Sequence, residues 1–339
     1  MNQAGLRSLF PVLRSEADIL ADIYKEPALA AEFTAWPQEH RQRFLDFCSG
    51  ARGAKLLYDA FFKEILNPEL TPERLEEFLS LLLHEQVRIL AVLPNDSTRI
   101  ADESSLLITD IVIERENHEI VNLEIQKIGY KFPGERCACY SADMLLRQYK
   151  RVRSEKRKAF SYRAIRTVYT IVLFESSPRE FHAYPNTCLH YFSQKSNTGL
   201  ELLQKYLLIP LDIFREIHQN KDITDKLDAW LAFLSMDSPD MIRKLIRSYP
   251  EFQSLYEQIY SHCRNIEEVM GMFSEELREL DRNTVQLMID EMQEELNEAW
   301  QQKEEMRQQL EAERRQHEAE RRQMEEYINR LLEGGQDSK

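Results

Sequence analysis

The sequence predicts an α/β fold, a mixed sheet with helices before and after it. Three observations predict it. Short β-rich runs bounded by turn residues cluster between residues 87 and 174. The segments on either side of them carry apolar residues at helical spacing, and the C-terminal stretch, nearly free of helix breakers, has a 3-4 repeat of its own. A length of 339 residues fits two domains, and a hydrophobic share of 43% suffices for a sizeable core.

Residues 1–46 read as an irregular helical lead-in, cut into short pieces by Pro11, Pro27 and Pro37, with no chemistry to assign. Residues 52–66 and 72–84 have helical periodicity, with Pro68 between them and Thr71-Pro72-Glu73 as a helix start. These helices are expected to cover the sheet. Val87–Leu93 and Ser105–Ile113 read as the first two strands and Glu119–Gln126 as the third. Gly134 to about Arg153 reads as a helix, and Thr167–Phe174 as a fully buried fourth strand. Residues 198–280 read as an apolar-periodic helical region in which the aromatics around Trp230 are core. From about Arg282 the chain turns to Glu, Gln, Arg and Met. Met292, Leu296, Ala299, Met306, Leu310, Met324, Tyr327 and Leu331 form a seam that Lys303, Glu313, His317 and Glu320 interrupt. That pattern predicts a coiled coil, and through it a homodimer, with a single solvated helix as the alternative. Gly334-Gly335 ends it.

The chemistry concentrates in the second and third strands, with the polar stretch near Asn117 as their turn. Pairing symmetric about Asn117 sets Asp110 opposite Glu124, with Cβ atoms about 5 Å apart on one face. Strand alternation gives Glu124, Gln126 and Asn122 that same face and turns Val121, Leu123 and Ile125 into a core. A slip of one residue moves Asp110 to the wrong face. Two carboxylates facing each other in an apolar hairpin repel with little screening, so the arrangement asks for a cation. Mg²⁺ or Mn²⁺ answers it, binding one or two carboxylates and keeping positions open for water and phosphate. The bland alternative leaves both carboxylates on the solvated face of an ordinary hairpin.

An apolar strand with Asp, a short turn and a strand with Glu124-Ile125-Gln126 together resemble the PD-(D/E)XK nuclease superfamily, in particular its transposase branch, related to recombination-promoting nucleases. The resemblance extends through Leu57–Lys63, Asp102–Leu107, Val121–Lys127, Phe132–Arg136, Leu145–Tyr149 and Val168–Glu175, over roughly residues 48 to 290. It implies a restriction-endonuclease-like αβββαβ core with added helices, which binds Mg²⁺ through Asp110 and Glu124 and cleaves phosphodiester bonds. In most of the superfamily the third motif position is Lys; here it is Gln126, with Lys127 on the opposite face by alternation. An amide hydrogen-bonds but does not titrate, so Gln126 is expected to position the attacking water rather than deprotonate it. The resemblance also implies supporting residues, with Arg136, Tyr140, Gln148 and Tyr149 available on the helix after the Glu strand. Asp59 and Glu64 are candidates for an early-helix acid. The expected organisation is a lead-in at 1–46, a nuclease-like core at 47–180, a helical region packed on it at 181–281, a long helix at 282–333 and a flexible tail at 334–339.

Charge and composition bound this reading. The net charge of −14 argues against contact with phosphates, but much of the acid lies after residue 265. Between Arg147 and Arg166 nine cations face only Glu155. Of these, Arg147, Lys150, Arg151, Arg153, Lys156 and Arg157 are the candidate DNA contacts, with a solvated helix end as the alternative. Five scattered cysteines form neither a disulfide framework nor a zinc motif, which fits a reducing cytoplasm. His182, Cys188 and His190 make only a weak metal set. Nine glycines and no phosphate-cradling motif argue against nucleotide hydrolysis. The first ten residues hold no long apolar run and no stretch approaches the roughly 18 apolar residues of a membrane span, so a soluble, cytoplasmic protein is expected. The function expected is a metal-dependent DNA endonuclease linked to recombination or mobile elements. The alternative is an inactive nuclease-fold protein that binds DNA or assembles partners through its coiled coil.

Overall fold

Prolines open helices in this chain rather than interrupt them. A computed structural model describes residues 5–94, 111–129, 133–195, 198–219 and 221–334. A 3-10 turn at Leu6–Ser8 precedes α1 (Glu16–Lys25), α2 (Pro27–Ala35) and α3 (Gln38–Ser49). Ser15 caps α1 by accepting the Asp18 amide at 3.1 Å. Pro27 lies in the first turn of α2 and Pro37 directly precedes α3, positions where a missing backbone donor costs nothing. Helix α3 stops at Gly50, whose φ of +70° is left-handed and whose Cβ, if present, would lie 2.6 Å from Leu13.

Helix α4 (Asp59–Ile65) is shorter than the span of 52–66 that periodicity predicts, whereas α5 (Pro72–Leu83) fills its expected span. The reason is tertiary: the Gly53 amide donates to the Asp237 carbonyl at 2.6 Å, which draws the chain before α4 into a long-range contact. Strands β1 (Ile89–Val92), β2 (Ile111–Arg115) and β3 (Ile120–Gln126) follow, then α6 (Pro133–Lys156) and β4 (Val168–Phe174).

The region expected to be helical from 181 onward contributes two further strands, β5 (His190–Lys195) and β6 (Glu201–Pro210). Leu202, Leu203, Leu207 and Leu208 satisfy helical spacing as readily as a strand. What decides is β4, beside which β6 lies parallel from Val168–Gln204 to Phe174–Pro210, a partner invisible to local periodicity. The remaining helices are α7 (Leu211–His218), α8 (Lys226–Ser235), α9 (Pro239–Ser248), α10 (Phe252–Ser261) and α11 (Ile266–Gly334).

The six strands form one mixed sheet in the order β1-β2-β3-β4-β6-β5. Pairs β1–β2, β2–β3 and β5–β6 are antiparallel, while β3–β4 and β4–β6 are parallel. One face of the sheet carries Ile113, Val121, Leu123, Ile171 and Leu173 into a large core with the lead-in helices and with Trp230, Phe233, Phe252 and Phe273. The other face lies under α6, where Val112, Ile120, Met144 and Val168 form a small apolar cluster. As the crossover between parallel β3 and β4, α6 runs back along them, so its first turn lies near the ends of both strands and its last turn near their starts.

Contacts divide the chain into two compact units, residues 1–283 and 284–339. Helix α11 begins at Ile266, well before the composition change near Arg282, and Ile266, Val269, Met270 and Phe273 are buried in the first unit. The composition change therefore marks where the buried face ends, not where the helix starts. In the second unit Met292, Leu296, Met306, Leu310 and Met324 are exposed in the single chain. No helix among the described residues is long and apolar enough to cross a membrane.

Candidate active site

The β2–β3 hairpin has the register its turn predicts. Ile111 pairs with Leu123, Val112 with Asn122, Ile113 with Val121 and Glu114 with Ile120. The turn itself fixes this, because Asn117 accepts the Glu119 amide at 3.1 Å through its side chain and His118 adopts a left-handed φ of 65°. Asp110, one residue before the first of these pairs, lies outside the described residues.

Alternation along β3 then places Asn122, Glu124 and Gln126 on the face beneath α6, at 0%, 3% and 4% exposure. The parallel register sets Thr170 beside Asn122, Val172 beside Glu124 and Phe174 beside Gln126. From α6, Cys137, Tyr140, Ser141 and Met144 are buried. The Asn122 Nδ2 group donates to Glu124 Oε1 at 2.8 Å, which orients the carboxylate. Burial, together with the negative charge of Glu124, pushes the Cys137 thiol up to about 12. The thiol therefore stays protonated and unreactive, and the effect locates the Glu124 charge next to the start of α6.

Gln126 is the least satisfied group in this seam. Both its amide oxygen and its amide nitrogen are buried with no hydrogen-bond partner among the described residues. Asn122 Oδ1, Thr170 Oγ1 and Ser141 Oγ share that condition. Each such group costs about 1–3 kcal/mol when left without a partner, and Asn122, Gln126 and Thr170 share the sheet face that lies under α6.

A family model described as PD-(D/E)XK nuclease family transposase matches residues 56–287, more than half of the chain. The chain belongs to that family. No curated protein and no solved structure matches it significantly. The mixed six-stranded sheet with flanking helices is consistent with the α/β fold of PD-(D/E)XK nucleases.

In this PD-(D/E)XK transposase-family chain, Gln126 and the neighbouring Lys127 lie on opposite faces of the sheet. Lys127 points to the other face, where its Nζ lies 2.6 Å from Glu276 Oε2 of α11 with both side chains buried. Among the supporting candidates, Asp59 pairs with Lys63 at 2.7 Å, and its amide donates to Glu276 at 3.3 Å. Glu64 is engaged elsewhere, bonded to His262 at 2.6 Å and to Gln258 at 2.7 Å. Arg136 and Tyr140 lie one turn apart on α6, with Tyr140 buried against the sheet. Gln148 is buried and binds the backbone of Arg166, so it ties α6 to the approach of β4.

The basic island divides in two. Arg147 pairs with Asp143 at 2.7 Å and donates to the Pro94 carbonyl at 3.0 Å, while Arg151 pairs with Glu114 at 2.7 Å. Lys150, Arg153, Lys156, Arg157, Lys158, Arg163 and Arg166 are exposed and have no ion pair among the described residues. They cluster toward the C-terminal end of α6, and Glu114 pairs with Ile120, four residues or about 13 Å along β3 from Glu124. Among the described residues no group of three or more His, Cys, Asp and Glu could hold a metal; His190 contacts the Thr187 carbonyl, and His182 contacts Ser177. Sequence reasoning did not single out Thr170 or Cys137. A small polar residue within the otherwise apolar and aromatic run Val168–Phe174 was the available signal for the first, and nothing local signalled the second.

Proposed function

We propose that the chain is a divalent-metal-dependent DNA endonuclease linked to recombination or mobile elements. Asp110 and Glu124 are its metal-binding carboxylates, and Gln126 orients the attacking water. The observation that carries this reading is the buried Glu124 carboxylate with the Gln126 amide two residues on, on one strand face, buried and without a partner among the described residues. Asp110 directly precedes Ile111, whose partner Leu123 directly precedes Glu124.

The donor set fits a hard cation. Carboxylate and amide oxygens suit Mg²⁺ or Mn²⁺, and the adjacent Cys137 thiol is held protonated and so offers no thiolate. Bound by Glu124 and Asp110, such an ion supplies neutralising charge to a phosphodiester and acidity to a water nucleophile. Asn122 holds the Glu124 carboxylate in one orientation before any ligand arrives. Gln126 gives the water a hydrogen bond, and the proton passes to a phosphate oxygen or to solvent, because an amide cannot take it. Exposed cations of the island supply phosphate contacts.

Supercoiled plasmid incubated with the protein and Mg²⁺ or Mn²⁺ tests the reading. Nicking that disappears in Asp110→Ala and in Glu124→Ala supports it. Equal nicking in all three proteins identifies a contaminant and overturns it. A second reading, an inactive DNA-binding or assembly protein on the same fold, is favoured by Gln126 standing where the motif usually has Lys. Calorimetric titration with Mn²⁺ separates the two, since no metal binding even with DNA present favours the second.

A further inference from the structure

The C-terminal part of α6 and the turn that follows it hold three aromatic rings together at the surface. Tyr149 and Tyr162 stack at 6.1 Å between centroids with 14° between planes, and Phe160 packs edge-on against them at 5.4 Å and 5.2 Å. Tyr162 remains 75% exposed. An exposed ring gains little from burial, yet the chain fixes it: Phe160 donates its amide to the Arg157 carbonyl at 3.2 Å, and Ser161 accepts the Arg163 amide at 3.3 Å. The Arg153 guanidinium lies 5.5 Å from the centre of the Tyr149 ring. Lys156, Arg157, Lys158 and Arg163 lie within a few residues of Phe160 and Tyr162 along the chain, exposed and without ion pairs among the described residues.

Cations alone bind any phosphate backbone, duplex or single strand. An aromatic face adds a choice, because in duplex DNA the base faces are already stacked on one another, and only an unpaired base can offer its face to a side chain. We propose that Tyr162, backed by Tyr149 and Phe160, is a stacking platform for an unpaired DNA base, so that the DNA this protein acts on contains a single-stranded segment. The inference rests on the DNA-cleaving reading above and names its substrate class. The exposed cations next to it in the chain hold the phosphates flanking that base. The platform and the candidate active site lie toward opposite ends of α6, so one strand engages both only by running along the helix.

Fluorescence anisotropy with the full chain in EDTA tests this, using a labelled single strand of about 16 nucleotides and the matching duplex. The expected result is tighter binding of the single strand. Tyr162→Ala should weaken that binding roughly tenfold and leave duplex binding within about twofold. Its salt dependence should not change, because no phosphate contact is lost, and Tyr162→Trp should restore affinity. Lys156→Gln with Lys158→Gln should weaken both DNAs and flatten the salt dependence. Equal losses for both DNAs in Tyr162→Ala, or no loss for either, overturn the stacking inference alone. A wild-type protein that binds neither DNA at low salt overturns the DNA reading beneath it as well.

Discussion

Among the described residues neither polar atom of the buried Gln126 amide has a partner, and this has a measurable consequence. A buried amide without partners is tolerated where function requires it, so replacing it with an apolar side chain of similar length should help the fold and harm the chemistry. Gln126→Met is expected to raise unfolding free energy by about 1 kcal/mol in urea titration while abolishing metal-dependent nicking. A destabilised Gln126→Met protein would mean that the amide is satisfied in the native state. Lys127, one residue on, predicts the opposite. It neutralises Glu276 on the buried face, where burial raises the carboxyl's pKa and Lys127 opposes the rise. Lys127→Met should cost about 3–5 kcal/mol by leaving that carboxylate without its counter-charge, and the double variant Lys127→Met with Glu276→Leu should recover most of the loss. If the single variant unfolds at the wild-type denaturant midpoint, the pair does not hold β3 to α11.

Between elements, the contact joining α4 to the turn before α11 depends on pH. His262 lies between Glu64 at 2.6 Å and Glu268 at 2.9 Å. The Glu64 hydrogen bond is the largest cause that raises its pKa to about 9, against the opposing effect of burial. For Glu64, burial works against the charge, but the bonds from His262 and Gln258 outweigh it and leave the pKa lowered. A raised histidine contributes stability that is complete below its unfolded pKa of about 6.5 and lost as pH rises through 9. A lowered carboxylate contributes above its unfolded value and loses the contribution as pH falls. The contact is therefore strongest between about pH 4.5 and 6.5. Denaturant midpoints of wild type and His262→Gln should differ at pH 6 and converge by about pH 10. A constant difference across that range would show that the ion pair contributes nothing and that only packing was lost.

For the molecule as a whole, the second unit carries an apolar seam whose Met292, Leu296, Met306, Leu310 and Met324 are exposed. A helix this polar gains little from side-chain pairs alone, at roughly 0.2–0.5 kcal/mol each, so a second helix is its expected partner. Light scattering should report a dimer for the full chain and a monomer after truncation behind Asn283, with Mn²⁺ binding unchanged. A full-length monomer at micromolar concentration ends the dimer proposal, and loss of metal binding on truncation ends the separation of tail from site. Within the first unit, Phe273 of α11 packs against Trp36, Phe44, Phe47 and Tyr58. Phe273→Ala should therefore cost about 3–5 kcal/mol in urea titration. A cost under 1 kcal/mol would mean that α11 is not part of the core.

What the sequence determined by itself is what neighbours along the chain can decide. The Asn117 turn sets the β2–β3 register, alternation sends Glu124 and Gln126 to one face and Lys127 to the other, and prolines open α2, α5 and α9. The tertiary structure decided whatever depends on partners far away in sequence. The Leu-rich run at 201–210 became a strand because β4 lay open beside it. The chain before α4 left its helix because Asp237 took the Gly53 amide. Arg151 was drawn from the basic island by Glu114, and α11 was extended back to Ile266 by a core it completes. Local periodicity is written in steps of two to four residues, whereas these choices depend on contacts that no window of that length contains.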